Sequence, residues 1–206
     1  MSLKSSIKYS ENEITELLLK NTLTMVEERG LVKKKDHAKN LKNLLNQIKD
    51  DMLFSLIDGK EKIGIRIVKY KVTSITKVEG IDTFLNDKSY TQRIVIFKDM
   101  NQKTFKQLIL YPNTQPFWEH ELLMNIIEHN YVPLHYVLSE DEKVEFIKSY
   151  QITRDTLPKL ELYDPISRYY NMKVGDIVKI TRNNALSGKE IYYRVVIPNP
   201  VQDLFS

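Results

Sequence analysis

The sequence predicts an α/β (α+β) protein that has two domains, residues 1–128 and residues 129–206. Its 206 residues are enough for one domain or for two small ones that each bury a core. In the first part, helical spacings of apolar residues alternate with short β-branched runs. Turn and cap residues are concentrated between residues 131 and 196, which indicates a smaller, closely specified second unit.

The composition is typical of a globular protein, with 42% hydrophobic and 28% charged residues. No apolar run approaches the roughly 18 residues that a membrane-spanning helix needs, and residues 1–13 lack the apolar core of a signal peptide. The absence of cysteine excludes disulfides and thiolate metal sites and fits a reducing compartment. We expect a cytosol-like location and no membrane contact.

Basic residues are in excess only in the first predicted domain. Residues 1–128 carry 21 Lys and Arg against 17 Asp and Glu, whereas residues 129–206 carry ten of each kind. An excess this small permits contact with phosphate groups but does not predict it. The candidates for contact with a nucleic-acid backbone are three consecutive lysines in a predicted loop, although exposed lysines are more often simply solvated. They are Lys33, Lys34 and Lys35.

Two helices are predicted at the start of the chain. Apolar residues recur at helical spacing from Ser10 to Arg29, where Ser10 is suited to cap the first turn and Gly30 to end the helix. The same spacing continues from Ala38 to Phe54 and predicts a second helix there.

Strands follow a turn at Asp58 and Gly59. The pattern predicts strands over residues 63–70, 72–78, 93–97 and 122–127, and a short helix over residues 101–110. We expect Pro112 and Pro116 to interrupt regular structure before the last of these strands.

The second unit begins with a capped helix, because Ser139 and Glu142 form a Ser-x-x-Glu capping box. The helix is predicted to run to Tyr150. The residues expected to face its core are Val144, Ile147 and either Phe146 or Tyr150. The remaining elements are a helix over 165–170 that ends at Asn171, a turn at Gly175, and strands over 177–180 and 191–196.

Two segments resemble the start of an enzyme motif, but each lacks residues that the motif requires. Residues 59–64 have the glycine spacing of a phosphate-binding loop, but Ile65 and Arg66 stand where Lys and Ser or Thr are required. A zinc-protease motif begins at His120, but Met124 takes the place of the second histidine, and the segment is predicted to be a strand.

Three histidines, His120, His129 and His135, fall within sixteen residues and leave a metal-dependent enzyme as one alternative. Their spacing is not that of a compact ligand set, so surface or hydrogen-bonded histidines are the favoured interpretation. We expect no catalytic residue, no metal, no cofactor and no small-molecule substrate.

Tyrosine and arginine are adjacent in the last predicted strand. Alternation forces Tyr192 and Tyr193 onto opposite faces, so one of them is expected to pack inward. Tyr and Arg, as in Tyr193 and Arg194, are residue types favoured at protein interfaces.

Short motifs follow one another in a specific order between residues 132 and 195. They are Val132-Pro133-x-His135, Leu138-Ser139-x-x-Glu142-Lys143, Leu157-Pro158, Asp164-Pro165, Lys173-x-Gly175-Asp176-x-Val178-Lys179-Ile180-x-Arg182, Gly188 and Tyr193-Arg194-Val195. In this order and spacing they resemble the C-terminal assembly domain of the fifth subunit of eukaryotic RNA polymerases and its archaeal counterpart. The opening helix is similar to the start of the jaw domain of the eukaryotic form. The divergence is similar to that of a polymerase encoded by a large cytoplasmic DNA virus of the African swine fever virus kind.

The resemblance implies a non-catalytic subunit of a DNA-directed RNA polymerase. Its C-terminal domain would dock on the largest subunit, which holds the catalytic Asp triad and Mg²⁺. Its N-terminal domain, including Lys33, Lys34 and Lys35, would form part of the lower jaw near downstream DNA and contact that DNA weakly or indirectly. A viral protein would act in the host cytoplasm and virion, and a cellular one in the nucleus. The partner-binding positions carried over from the motifs are Pro133, His135, Leu157, Pro158, Asp164, Pro165, Gly175, Arg182, Tyr193 and Arg194.

This chain departs from the family pattern at several positions. Leu134 stands where Lys is usual, Lys159 replaces Arg, and Asn171 replaces a glycine, which is sensible because Asn tolerates positive φ. The loop over residues 183–187 is altered, and the tail over residues 197–206 exceeds the usual ending. A free-standing nucleic-acid-binding transcription regulator that shares the assembly module remains the alternative.

Overall fold

The computed structural model describes residues 9–48, 52–129, 131–151, 156–184 and 188–205. The chain separates into two compact units, Met1–Met124 and Asn125–Ser206. The boundary predicted from the sequence lies four residues later, after residue 128. Each unit contains helices and one four-stranded sheet, which confirms the predicted α+β class. In the described ranges, no helix is long and apolar enough to cross a membrane.

The first unit has the sheet order β1-β2-β3-β4, in which β1 and β2 form an antiparallel hairpin and the other pairs are parallel. Its strands are β1 (Leu53–Asp58), β2 (Glu61–Val72), β3 (Gln92–Met100) and β4 (Thr114–Trp118). Its helices are α1 (Glu11–Glu28), α2 (His37–Leu45), α3 (Ile81–Asn86), α4 (Gln102–Leu108) and α5 (Glu119–Leu123).

The second unit has the sheet order β5-β7-β8-β6, with β6 parallel to β8 and the other pairs antiparallel. Its strands are β5 (Leu134–Val137), β6 (Lys159–Glu161), β7 (Ile177–Asn184) and β8 (Gly188–Ile197). Its helices are α6 (Glu140–Tyr150) and α7 (Pro165–Tyr169), and a 3₁₀ turn covers Val201–Phe205 in the tail.

The two predicted helix caps are confirmed. At α1, Ser10 Oγ accepts a hydrogen bond from the backbone N–H of Glu13, and Glu13 Oε2 accepts one from the N–H of Ser10. Ser139 and Glu142 make the same reciprocal pair at α6. Each cap satisfies two backbone donors that a helix leaves without an internal partner, which is why both helices begin where the sequence predicts.

The predicted helix over residues 38–54 is wrong beyond Leu45. The described part of the segment ends α2 at Leu45 and enters β1 at Leu53, while residues 49–51 lie outside the described residues. Phe54 and Leu56 alternate with less buried neighbours, which is the period of a strand. Pairing with β2 therefore overrides the apolar spacing that continued the helix.

Two further predicted strands are wrong. Residues 72–78 contain the end of β2 and a 3₁₀ turn over Ile75–Lys77, and residues 122–127 contain the end of α5 and part of another 3₁₀ turn. The strand that the sequence missed is β4, which includes Pro116. Proline is tolerated there because β4 is an edge strand and needs no outward N–H donor.

Arg93 is buried in the first unit, with only 5% of its surface exposed. Its guanidinium donates to the backbone carbonyl of Phe84 at 3.0 Å, to that of Pro112 at 3.2 Å, and to that of Asp87. Three carbonyls thus replace the water that the charge loses on burial. The side chain fixes the end of α3 and the segment before β4 against β3.

Gly64 lies opposite Arg93 in the β2–β3 register. A Cβ atom at Gly64 would lie 2.6 Å from Phe84 Cε2 and 2.9 Å from Tyr90 Cδ1, closer than van der Waals contact allows. The rings of Phe84 and Tyr90 therefore occupy the space that a side chain would fill.

The sheet of the second unit is covered on both faces. On one face, the core includes Ile166 of α7 and Met172 packed with residues of the sheet. On the other, Phe146 of α6 packs with Leu138, Ile177 and other residues. We call these faces the α7 side and the α6 side.

Burial on α6 differs partly from the prediction. Phe146, rather than Tyr150, is buried, in agreement with the prediction that one of the two faces the core, and Ile147 is partly buried, but Val144 is 67% exposed. Lys143 takes an inward position instead and is 4% exposed. The apolar spacing missed this because a lysine is buried only when its charge is paired.

Lys143 holds α6 to the turn before β7. Its Nζ lies 2.6 Å from Asp176 Oδ1 and 2.7 Å from Glu140 Oε1, and Asp176 Oδ2 also accepts a hydrogen bond from the N–H of Lys173. Burial by itself lowers the pKa of Lys143, but the hydrogen bonds and charges of Asp176 and Glu140 outweigh burial and raise it above its ordinary value.

We expect Gly64→Ala to destabilise the protein by about 1–3 kcal/mol because it overpacks the space beneath Phe84 and Tyr90. Urea denaturation of the full chain measures this change. In a Phe84→Leu background the same substitution should cost less, because the clashing ring is gone. Equal costs in both backgrounds would contradict the steric explanation.

We expect Lys143→Ala to destabilise the second unit by about 3 kcal/mol, because it leaves Asp176 without its charged partner. The pKa of Lys143 is raised in the folded protein, so the stabilisation that its charge provides is fully present below the unfolded-state pKa of about 10.4. This stabilisation is lost as the pH rises through the higher folded-state pKa. Thermal unfolding at pH 8 and pH 11 measures both effects. The exposed Lys148→Ala on the same helix is the control, and an equal loss there would refute the pairing.

Candidate functional site

The β7–β8 register assembles an exposed polar surface on the α7 side of the second sheet. Arg194 lies opposite Val178 and Tyr192 lies opposite Ile180, and directly opposed residues share a face. Arg182 follows Ile180 by two positions and therefore shares this face. Arg182, Tyr192 and Arg194 are all exposed. We call these three residues the arginine face.

Hydrogen bonds and ring contacts orient the side chains of the arginine face. The Arg182 guanidinium carbon lies 6.0 Å from the Tyr192 ring centroid, within the range of a cation–π contact. The Tyr192 hydroxyl donates to Glu190 Oε2 at 2.5 Å, and this bond raises the pKa of Tyr192. Arg194 Nη1 donates to the carbonyl of Lys159 at 3.3 Å. Two guanidinium groups and an aromatic ring are thus presented together, which is chemistry suited to carboxylates and aromatic groups of a protein partner.

His135 borders the arginine face, since it lies opposite Ile180 on β5. Burial lowers the pKa of His135, and the positive charge of Arg194 acts in the same direction, against the opposing effects of the Pro133 carbonyl and Asp164. Its Nδ1 lies 2.7 Å from the Pro133 carbonyl oxygen. The neutral ring therefore donates from Nδ1, and its Nε2 is left as an acceptor.

Asp164 and Pro165 begin α7. Asp164 Oδ1 accepts a hydrogen bond from the N–H of Ile166 at 2.8 Å, and Pro165 takes the first helical position, where its missing N–H is harmless. Asn171, just after α7, has a φ of +52°, in agreement with the prediction. The cap residues thus position the helix that packs beside the arginine face.

Four of the sequence-predicted partner positions make contacts inside the second unit. Leu157 is 9% exposed in the α6-side core. Pro158 accepts a hydrogen bond from the N–H of Val195 at 2.9 Å. Gly175 has a φ of +90° and donates to the Val196 carbonyl. These contacts maintain the sheet on which the arginine face lies.

Tyr193 is the fourth of these positions, and its ring faces the α6 side. Its centroid lies 4.2 Å from that of Phe146, so Tyr193 is the inward member of the Tyr192 and Tyr193 pair. The alternation predicted that one would pack inward, and the position of Phe146 on α6 decides which. Of the altered loop over residues 183–187, residues 185–187 lie outside the described residues.

The lysine triplet of residues 33–35 lies beside the β1–β2 turn. Lys34 Nζ forms an ion pair with Glu28 at 2.7 Å. The backbone N–H of Lys33 donates to Asp58 Oδ2 at 2.8 Å, so the segment is held against the hairpin. The turn itself carries the exposed Lys60, which sequence reasoning missed because the contact spans 25 residues and leaves no local pattern.

His120, His129 and His135 are divided between the two units, and they form no metal-ligand set among the described residues. His120 belongs to the first unit, and His129 and His135 belong to the second. Within the described residues, no group of three or more His, Cys, Asp or Glu side chains is placed to hold a metal ion. The prediction that His120 lies in a strand is wrong, since it lies in α5, and Met124 after that helix is 72% exposed.

Comparison with known proteins gives matches over both units. Residues 124–196 match the family model described as RNA polymerase Rpb5, C-terminal domain. The DNA-directed RNA polymerase subunit 5 of Acanthamoeba polyphaga mimivirus is 29% identical over 197 residues, covering 93% of this chain and 96% of the relative. The DNA-directed RNA polymerases I, II, and III subunit RPABC1 of Caenorhabditis briggsae and that of Caenorhabditis elegans are each 30% identical over 151 residues, covering 71% of this chain and 67% of the relative.

These matches agree with the order of motifs and with the two-unit architecture. The family model begins at the division between the units and ends within β8, so it spans the second sheet and its two helices. The chain belongs to the RNA polymerase Rpb5 family.

Proposed function

We propose that this chain is a non-catalytic structural subunit of a multisubunit DNA-directed RNA polymerase. The observation that carries the proposal is the alignment with a viral polymerase subunit 5 over 93% of the chain, because it extends through both units. The shorter match to the Rpb5 C-terminal domain supports the same function from an independent family model.

The C-terminal unit docks on the largest polymerase subunit through the arginine face. Exposed Arg and Tyr side chains are frequent among the residues that dominate binding energy, and here they lie on a sheet whose opposite face packs into a core. Residues 129–206 carry equal numbers of acidic and basic residues, so recognition by this unit depends on local geometry more than on net charge.

The N-terminal unit forms part of the lower jaw near downstream DNA. The lysines beside the β1–β2 turn, Lys33, Lys35 and Lys60, support this placement because they are exposed. Glu28, Asp36 and Asp58 lie close to them in the sequence or in contact with the segment, which limits the local positive field. Contact with the DNA backbone is therefore weak.

The chemistry of RNA synthesis resides in the largest subunit, and this chain contributes structure. Among the described residues, the contacts of the arginine face and of the neighbouring His135 form no nucleophile–base pair. The protein acts wherever its polymerase works, in the host cytoplasm and virion for a viral enzyme and in the nucleus for a cellular one.

The alternative function is that of a free-standing nucleic-acid-binding transcription regulator. It shares the assembly unit but predicts strong, salt-sensitive DNA binding by the isolated chain. The ion pair between Lys34 and Glu28 favours the subunit, because it neutralises the central member of the lysine triplet.

We expect tagged chain purified from its native source to bring down two very large polymerase subunits, and Arg194→Ala to reduce their recovery at least about fivefold. The substitution removes an exposed guanidinium whose intramolecular hydrogen bond goes to the Lys159 carbonyl. Its free energy of unfolding should therefore change by less than about 1 kcal/mol. Quantitative mass spectrometry of the purified complex and thermal unfolding measure the two results.

The matched control is Lys189→Ala. Lys189 is an exposed basic residue on β8, like Arg194, but it points to the α6 side. An equal loss with both variants would remove Arg194 from the docking surface. Recovery of the wild-type chain alone, in a small soluble pool, would refute the polymerase function.

We expect the isolated chain to bind duplex DNA with a Kd of roughly 10⁻⁴–10⁻⁶ M at physiological salt. Replacing Lys33, Lys35 and Lys60 with Gln should lower the magnitude of the slope of log K against log salt by about 3, because each lost phosphate contact removes close to one unit. Fluorescence anisotropy over a salt series measures the slope.

A second triple variant controls for net charge in this DNA-binding experiment. Lys88, Lys103 and Lys106 are also exposed in the first unit, and their replacement by Gln removes the same charge elsewhere. An identical loss of slope would contradict a localised contact. Nanomolar binding by the isolated wild-type chain would instead favour the transcription regulator.

A further inference from the structure

The two sheets end in four edge strands, β1, β4, β5 and β6. Outward N–H and C=O groups on an edge can pair with another chain, and proteins normally block them. On β1, the side chain of Gln47 does this at Ser55, while no hydrogen bond among the described residues reaches the outward groups of Ile57. Gln47 Oε1 accepts from the N–H of Ser55 at 2.8 Å, and its Nε2 donates to the Ser55 carbonyl at 3.0 Å.

The edge at β4 is blocked in part, by a proline and a carboxylate. The N–H of Arg93 bonds to the Asn113 carbonyl, so Asn113 directs its backbone groups towards β3. Residues 114, 116 and 118 of β4 therefore direct theirs outward. Pro116 is one of these and has no N–H. Trp118 is another, and its N–H donates to Glu121 Oε2 at 2.8 Å.

At the edge of β6, the outward carbonyls are occupied by donors from the same unit. The N–H of Val195 bonds to the Pro158 carbonyl, so Lys159 and Glu161 direct their backbone groups outward. The Lys159 carbonyl accepts from Arg194 Nη1, and the Glu161 carbonyl accepts from the N–H of Asp164 at 3.1 Å.

At the edge of β5 none of the outward backbone groups has a hydrogen bond among the described residues, whereas each of the other three edges is blocked at least in part. The N–H of Leu138 bonds to Ile177 of β7, so the outward residues of the strand are His135 and Val137. Within the described ranges, no hydrogen bond reaches the outward N–H and C=O groups of His135 or Val137. Only the preceding Pro133 carbonyl is occupied, by His135 Nδ1.

The side chains on β5 make its open edge attractive to an apolar partner. Leu134 and Tyr136 alternate onto the α6 side, and they are 71% and 51% exposed. The Tyr136 hydroxyl donates to both carboxylate oxygens of Glu142 at 3.1 Å, which holds its ring in place. Exposed apolar groups beside an unblocked edge are the combination that strand addition uses.

We propose that β5 receives an extended segment of the polymerase subunit on which the C-terminal unit docks, a proposal that rests on the proposed function. The added strand pairs with the four outward backbone groups of His135 and Val137 and extends the sheet to five strands. Its alternate side chains are apolar and pack beside Leu134 and Tyr136. His135 connects this edge with the arginine face, so the two surfaces form one continuous interface.

The test compares Val137→Pro with Val137→Ala in the tagged full chain. Both variants lose side-chain packing on the α7 side, but only proline removes the outward N–H. We expect Val137→Pro to reduce recovery of the large polymerase subunits at least about tenfold, because a buried carbonyl of the partner loses its donor. Val137→Ala should retain most of the recovery, and equal recovery with the two variants overturns the proposal.

Hydrogen exchange of the wild-type chain provides a second measurement that does not depend on the folding of a variant. The amides of His135 and Val137 should exchange at least about tenfold more slowly in the purified polymerase than in the isolated chain, because only pairing with a partner protects them. Unchanged exchange of these amides overturns strand addition even if Val137→Pro fails to fold.

The two proposals fail in different ways. Absence of the large polymerase subunits from the wild-type preparation refutes the polymerase function. Normal recovery of those subunits with Val137→Pro, together with unchanged exchange at His135 and Val137, refutes docking at β5 alone and leaves the arginine face as the contact.

Discussion

The buried guanidinium of Arg93 is the constraint on which the first unit depends. A charge removed from water is costly unless its hydrogen bonds are replaced, and three backbone carbonyls from two segments replace them. Those of Phe84 and Asp87 lie at the C-terminal end of α3, where the partial negative charge of the helix favours a cation. The connections before and after β3 therefore close on one side chain, and Phe84 is drawn over Gly64, where only a hydrogen atom fits.

The second unit separates support from recognition by the alternation of a single strand. Along β8, Tyr193 and Val195 face α6 and complete a core, while Tyr192 and Arg194 face the α7 side and are exposed. The buried Lys143 fixes α6 to the turn at Asp176 and so holds the supporting half in register. A shift of one residue would exchange the two sets of side chains, so the proposed docking surface depends on the packing of the core.

Local features could be predicted from the sequence, whereas contacts across the chain could not. The caps at Ser10 and Ser139 were predictable because donor and acceptor are three residues apart. The start of β1 was missed because its apolar spacing also fits a helix, and only pairing with β2 resolves it. β4 was missed because Pro116 indicates a break unless the strand is known to lie at an edge.

The candidate site shows the same division. The placement of Tyr192 and Tyr193 on opposite faces follows from strand period alone, but the identity of the inward residue depends on Phe146 from another element. Lys60 lies near the lysine triplet because the N–H of Lys33 bonds to Asp58 in the same hairpin, and this contact leaves no pattern in the sequence. The open edge of β5 depends on where its backbone groups find partners, and no sequence pattern encodes this.

An unblocked edge also affects the protein before it reaches its partner. Two free copies can pair through β5, with Leu134 and Tyr136 on each chain adding apolar contact, and such pairing grows with concentration. We expect chain made in excess of the subunit proposed to cover β5 to be more prone to such pairing. Balanced synthesis of the two chains would limit this pairing, which depends on a strand of only four residues.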